Sequence, residues 1–342
     1  MDLYPYETDK HRWGFIDQNG AVIIGANYAS AYLFSNNRAM VIDDKNGVQF
    51  AGFVDANGSM VITPQYRLVT GGCFSAEGLV PIGDVKKWVI GYIEMNGQVR
   101  VPFQYAWGGD FSEGFAIVGL ANKYGAIDIQ GNLVVPVKYD ALSDFSEGLA
   151  LAFNYGEKPG YITPSDHFKF KGDFVNGTVF MYGRAAVCDA SSQLIGFIDN
   201  TGCFVIPPKY SEAFVFSEGL AAVEYKGKWG FIDPQGNTII APEFDDVSVG
   251  FCNGLAPVEK NGAWGYIDHK GTFVISPQFD EADVFYCNLA MVKFRDATSG
   301  YVNKSGDIVY RSTHPFLRNV NTPNVAKSLS KFNIRVEGKQ VD

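Results

Sequence analysis

Lys228-Trp229-Gly230-Phe231-Ile232-Asp233-Pro234-Gln235-Gly236 reads as a short apolar strand running into a tight turn, and the chain repeats this phrase nine times. The glycine that follows the tryptophan recurs as Gly14, Gly52, Gly91, Gly125, Gly160, Gly196, Gly230, Gly265 and Gly300, at spacings of 34 to 39 residues. Fourteen residues beyond each stands an aromatic: Tyr28, Tyr66, Tyr105, Tyr139, Phe174, Tyr210, Phe244 and Phe279, with His314 in the ninth place. Self-similarity at a fixed period of this size marks a repeat array, in which each unit buries its apolar face against its neighbours.

Three strand signals make up a unit. The first follows a Glu-Gly pair, as in Leu220-Ala221-Ala222-Val223-Glu224. A turn at Lys226-Gly227-Lys228 leads to the second, Trp229 to Asp233, and the third follows as Thr238-Ile239-Ile240. Short apolar runs divided by glycine turns are strand signals, and nothing here has a helical period. The turn before the third strand has one chemistry throughout: Asp17-Gln18-Asn19-Gly20, Asp55 to Gly58, Asp128 to Gly131, Asp199 to Gly202, Asp233 to Gly236 and Asp268 to Gly271, softened at Glu94 to Gly97 and Asn303 to Gly306. An aspartate there accepts backbone N–H groups and glycine supplies the positive φ, so these carboxylates are structural. Pro64, Pro102, Pro136, Pro208, Pro242 and Pro277 are expected to end the third strand, since proline has no N–H for the ladder. A phenylalanine six to eight residues past the aromatic (Phe34, Phe74, Phe111, Phe145, Phe180, Phe216, Phe251, Phe285) is expected to pack between units.

The bulk numbers fit this reading. Of 342 residues, 46% are apolar, 15% aromatic and 19% charged, a globular composition. No run approaches the ~18 apolar residues of a membrane-spanning helix. The N-terminus has neither a basic flank nor an apolar run, so no signal peptide is expected, although export of a trimmed form stays open. The five cysteines, Cys73, Cys188, Cys203, Cys252 and Cys287, have an odd count and no C-x-x-C spacing. That argues against a disulfide framework or zinc site and for a reducing, cytoplasmic setting. Residues 311–342 carry six cationic side chains against Glu337 and Asp342, a net of +4, so the total of −9 leaves −13 on the repeats. Such a surface repels phosphate backbones, and nucleic acid is not expected as a partner.

Leu3-Tyr4-Pro5-Tyr6-Glu7 matches Leu255-Ala256-Pro257-Val258-Glu259, so the array opens on a first strand; it closes on a third strand, Asp307 to Tyr310. The frame predicts an all-β fold over residues 3–310: an open superhelical array of about nine three-stranded antiparallel units. Val325, Leu329 and Phe332 suggest a short capping helix in the basic tail, residues 311–342. A closed propeller-like ring is the alternative. Nine units exceed the ~4–8 blades typical of propellers, and a blade shared between the termini is missing, which favours the open form.

Lys228 to Asp233, with Phe216-Ser217-Glu218-Gly219-Leu220-Ala221 before it and Pro242, Phe244 and Asp245 after it, resembles the WG-repeat (KWG) family of mostly bacterial proteins. The resemblance implies a β-rich repeat scaffold without common catalytic residues. Tryptophan itself persists only at Trp13, Trp229 and Trp264.

Chemistry is sparse. His11, His167, His269 and His314 share no ligand spacing, no nucleophile, zinc-protease or nucleotide motif is present, and no cofactor is expected. Glu77, Glu113, Glu147 and Glu218 recur before glycine and read as turn caps, although a pair from adjacent units has the ingredients of a glycosidase. Two candidate patches depart from the frame. In the fifth unit His167, Lys169 and Lys171 alternate with Phe168 and Phe170, and Arg184 follows nearby, a basic surface suited to an acidic partner or simply a solvated face. In the lengthened third-unit turn stands Trp88, followed by Trp107; insertions in arrays gather on the binding face. The expected function is a non-enzymatic scaffold for a protein partner. The alternatives are carbohydrate binding through exposed aromatics and a glycoside hydrolase built on paired glutamates.

Overall fold

The computed structural model describes residues 2–69 and 72–313, which form nine small antiparallel sheets in chain order. Seven sheets have four strands and two have three, where the sequence frame counted three throughout. Using the blade of residues 212–244, strand a is Glu212–Ala213, b is Ala221–Tyr225, c is Lys228–Ile232 and d is Thr238–Phe244, hydrogen-bonded in the order a-b-c-d. Strand a is too short and too polar to show as a strand in the sequence. It marks the start of the segment that carries Phe214, Val215 and Phe216, all buried. Strand d has an exposed edge, with burial only at Ile240 and Phe244.

Why glycine must follow tryptophan is visible between c and d. Trp229 pairs with Phe244 and Phe231 with Ile240, so d carries extra residues over one short stretch of c. That bulge presses the Ile240 carbonyl oxygen to within 2.6 Å of where a Cβ on Gly230 would lie. The same approach, 2.2–2.6 Å to a backbone oxygen, occurs at all nine frame glycines from Gly14 to Gly300. Proline therefore does not end strand d as expected. Pro242 lies inside it, at the bulge against Gly230, where no ladder hydrogen bond is needed.

The Asp-x-x-Gly turns form as the sequence predicts. Asp17 Oδ1 accepts the N–H groups of Asn19 at 2.8 Å and Ala21 at 2.9 Å, and Gly20 takes φ +83°. Those backbone N–H bonds hold the Asp17 and Asp268 carboxyls below their usual range.

Ring contacts join the blades. The residue after the frame glycine on strand c meets the phenylalanine of the next blade at Phe15–Phe34, Phe53–Phe74, Tyr92–Phe111, Tyr161–Phe180, Phe197–Phe216, Phe231–Phe251 and Tyr266–Phe285, with centroids 4.8–5.2 Å apart. Such pairs add about 0.5–1.5 kcal/mol each beyond their buried area.

The array is closed, not open. One core cluster contains Leu3, Tyr4 and Phe15 together with Leu289 and Tyr301, uniting the first and ninth blades. The Tyr301 hydroxyl donates to the Pro5 carbonyl at 2.9 Å, and the Tyr310 hydroxyl to that of Glu7 at 2.8 Å. Gly20 abuts Val309 of the ninth blade as Gly58 abuts Ile24 of the first. The expectation of an open superhelix fails because it looked for a shared blade, whereas side chains make this seam. Among the described residues the first blade begins at strand b and offers Tyr301 no phenylalanine. Tyr4 fills that place. It stands opposite Ile16, at a position held by Ala39, Ala116, Ala150, Ala185, Ala221, Ala256 and Ala290 in seven other blades and by Val80 in the eighth. Its ring lies 5.6 Å from Tyr301, and its hydroxyl donates to Tyr286 O at 3.1 Å and accepts from Asn288 N at 3.0 Å. The expected capping helix falls outside the described residues.

Two outcomes follow. Gly230→Ala, which meets backbone on its one close side, is expected to lose about 1–3 kcal/mol of stability in a denaturant titration. Burial pushes the Tyr4 and Tyr310 hydroxyls up to about 12. An unfolded tyrosine ionises near 10, so between about pH 10 and 12 only the unfolded chain releases these protons and stability falls as pH rises. Melting temperature is expected to drop across that window, and Tyr4→Phe, less stable at neutral pH, to show a shallower drop.

Candidate functional site

In an a-b-c-d meander the a–b and c–d turns share one face of the ring, while the b–c hairpins and the d–a links share the other. The a–b turns are linked into a chain of hooks. Ser112, Ser146 and Ser217 each donate their hydroxyl to a phenylalanine carbonyl of the next blade, Phe145 at 2.8 Å, Phe180 at 2.6 Å and Phe251 at 2.6 Å. The neighbouring glutamate accepts backbone N–H groups of that same next turn. Glu113 takes Glu147 N at 2.7 Å and Gly148 N at 2.9 Å, Glu147 takes Gly183 N at 2.9 Å, and Glu218 takes Gly254 N at 3.1 Å. Glu113, Glu147 and Glu218 themselves sit at φ +52° to +53°, held there by the turn. Turn capping, the structural reading of these carboxylates, is what the geometry displays. At the closing seam Tyr286 stands where five blades have serine, the sixth Met181 and the eighth Cys252, and its longer reach delivers a hydroxyl to the carbonyl of Phe34 in the second blade.

His269 was unremarkable in the sequence. Its ring stacks on Phe251 at 4.3 Å, and Nε2 lies 3.0 Å from Glu218 Oε2. The single signal was its place in the Asp268-His269-Lys270-Gly271 turn, where it faces the preceding blade's hook at Glu218. Among the described residues no group of three His, Cys, Asp or Glu side chains is placed to hold a metal, and no helix is long and apolar enough to cross a membrane. His314 lies outside the described residues. Cys252 is buried, and Cys287 is half-buried.

The first basic patch is dispersed. His167 is in the turn before strand Phe168–Lys171, bonded through Nδ1 to Ser165 Oγ at 3.2 Å. Alternation breaks there, because Tyr161 pairs with Phe170 and Ile162 with Phe168, leaving Lys169 at the bulge. Lys171 consequently folds over the Phe168 ring at 4.3 Å and pairs with Glu157 at 3.0 Å. Arg184 belongs to the a–b turns instead, donating to Pro234 O at 2.9 Å and Gly183 O at 2.8 Å.

The second patch assembles. Trp88, in the b–c hairpin of the third blade, is 70% exposed, and the Arg67 guanidinium stacks over its ring at 4.7 Å. Its φ of +58° is a conformation that glycine or asparagine adopts at least cost. Trp107 opens the first strand of the next blade, is 38% exposed, and meets Tyr124 edge-on at 5.6 Å. Gly108, beside it, lies against Ile90, two residues from Trp88. The two indoles therefore occupy the same face across one seam. Lys86 and Lys87 complete the hairpin, their N–H groups bonded to Asp84 Oδ1 at 2.8 and 2.6 Å.

The WG-containing-repeat family matches seven segments, residues 13–46, 52–88, 90–124, 124–156, 195–229, 229–262 and 264–296. The chain belongs to that family. The longest gap between matched segments, residues 157–194, covers the end of the fifth blade, where Pro159 replaces tryptophan, and the sixth blade's first half. Among solved structures, the eukaryotic initiation factor aligns over 93% of this chain and 100% of its own at 12% identity and a TM-score of 0.59. BamB from Moraxella catarrhalis aligns over 88% and 99% at 10% identity and 0.46. The first likeness supports the fold, a nine-bladed β-propeller, and nothing beyond it. No curated protein matches the sequence.

The hooks can be tested singly. Ser217→Ala is expected to cost about 1–2 kcal/mol by losing a buried bond to Phe251 O. Ser75→Ala, whose hydroxyl is buried without a partner, is expected to be neutral or stabilising in the same denaturation assay.

Proposed function

We propose that this chain is a non-enzymatic binding scaffold that holds a protein partner on the face carrying Trp88 and Trp107. The observation that carries the reading is an indole 70% exposed on a backbone conformation that disfavours it. Trp and Arg are the side chains that dominate interface energetics, and here they are stacked before any partner arrives. Arg67, Lys86 and Lys87 against Asp84 make the rim of Trp88 cationic on an otherwise acidic body, so the partner segment is acidic. Support for a non-catalytic role comes from three of the four repeated glutamates, Glu113, Glu147 and Glu218, whose oxygens are spent on backbone N–H groups. A cytoplasmic setting rests on the cysteine pattern alone.

Carbohydrate binding is the second reading, and the same exposed rings favour it, since indoles stack on sugar faces. A glycan array separates the two. Trp88→Ala and Trp107→Ala are expected to weaken capture of the native partner at least tenfold, the scale of an interface hot spot. Lys169→Glu with Lys171→Glu should leave it unchanged. Undiminished capture by both tryptophan variants, or loss with the lysine pair alone, moves the site to the fifth blade.

A further inference from the structure

On the opposite face, at the same seam between the third and fourth blades, the hook is incomplete. The third blade reads Phe74-Ser75-Ala76-Glu77-Gly78 where the fourth reads Phe111-Ser112-Glu113-Gly114, one residue shorter. The added residue displaces both hooking side chains. The Ser75 hydroxyl is buried without a hydrogen-bond partner, unlike those of Ser112, Ser146 and Ser217. Glu77 keeps one bond, from Gly114 N to Oε1 at 2.9 Å, and its buried Oε2 has no partner among the described residues. In Glu113, Glu147 and Glu218 both carboxylate oxygens are engaged by the next turn.

This carboxylate lines a cleft of about 390 Å³ between the two blades, with Glu94, Met95 and Arg100 from the third and Ile129 and Gln130 from the fourth. Arg100 is taken up by Glu94, 2.5 Å away, which leaves the Glu77 charge uncompensated within the lining. A buried carboxylate oxygen without a donor is costly to keep, and a cationic donor relieves both the missing hydrogen bond and the missing charge. Met95 and Ile129 supply apolar surface beside it for a hydrocarbon stem.

We propose that this cleft binds a guanidinium group carried on an apolar stem, the Glu77 carboxyl turning so that Oε2 accepts its N–H. A free alkylguanidine and an arginine side chain of a bound protein present the same chemistry. The proposal stands apart from the Trp88 face, and either reading survives failure of the other.

The test is calorimetric titration of the full chain with butylguanidinium, with butanol as the uncharged counterpart, and with a short peptide containing one arginine. Saturable binding of butylguanidinium and none of butanol is expected. Glu77→Gln should weaken binding at least tenfold, while Glu218→Gln, which weakens a complete hook between the seventh and eighth blades, leaves it unchanged. Ile129→Trp, which fills the cleft from the fourth blade and leaves Glu77 unsubstituted, should abolish it even if Glu77→Gln folds poorly. A peptide at least tenfold tighter than butylguanidinium identifies the source as a partner's arginine; equal affinities identify a free small cation. Absence of binding up to about 10 mM, or equal affinity of wild type and a folded Glu77→Gln, overturns the proposal.

Discussion

Everything in this ring depends on a carbonyl oxygen pressed against a residue that has no side chain. Where Ile240 O approaches Gly230, strand d must bulge, and the bulge carries Phe244 back to lie opposite Trp229. Both rings are then buried on one side of the sheet, and the residue after the glycine turns its own ring to the next blade. One backbone contact thus sets the internal packing of a blade and the direction in which its neighbour must lie. Tryptophan, by contrast, is replaceable: Ala51, Ile90 and Tyr124 occupy its place in intact blades. Volume there can be made up from surrounding side chains, whereas a Cβ at the glycine has no room.

Much of this was legible in the residues. The period, the strand type, the Asp-x-x-Gly turns and the interblade phenylalanines each have local chemistry strong enough to survive without tertiary context. The fourth strand was not, because in four blades, as at Glu212–Ala213, it is two residues long, and in Trp107–Ser112 two glycines and an aspartate hide the apolar alternation. Closure was not legible either. It depends on the rotation from one blade to the next, which no single residue type specifies. Yet one trace was present: Tyr4 stands in a column otherwise made of alanine and valine, and a large ring in a small-residue column signals a missing neighbour.

The candidate sites divide in the same way. Exposed tryptophans in a lengthened hairpin were visible as departures from the frame, and Trp88 and Trp107 do share a face. The basic patch in the fifth unit relied on strict alternation, which the bulge common to every strand d removes. Arg184 appeared anomalous because leucine is usual there, but its partner, Pro234, is fifty residues away in sequence and adjacent only once blades are stacked. The gap opened by Ala76 was not anticipated, since a single inserted residue looks like ordinary loop variation until the hooks on either side are known.

The seam made by Tyr4 and Tyr286 also bears on how such a protein can change its length. Interior blades meet their successors by one recurring contact, a strand-c ring against the next blade's phenylalanine, so a copied unit inserted among them would find a matching contact on both sides. The first and ninth blades are not interchangeable with the rest, because a tyrosine replaces a strand at one and a serine at the other. Growth by duplication is therefore confined to the interior, and the two specialised ends travel outward unchanged, like the clasp of a necklace to which beads are added.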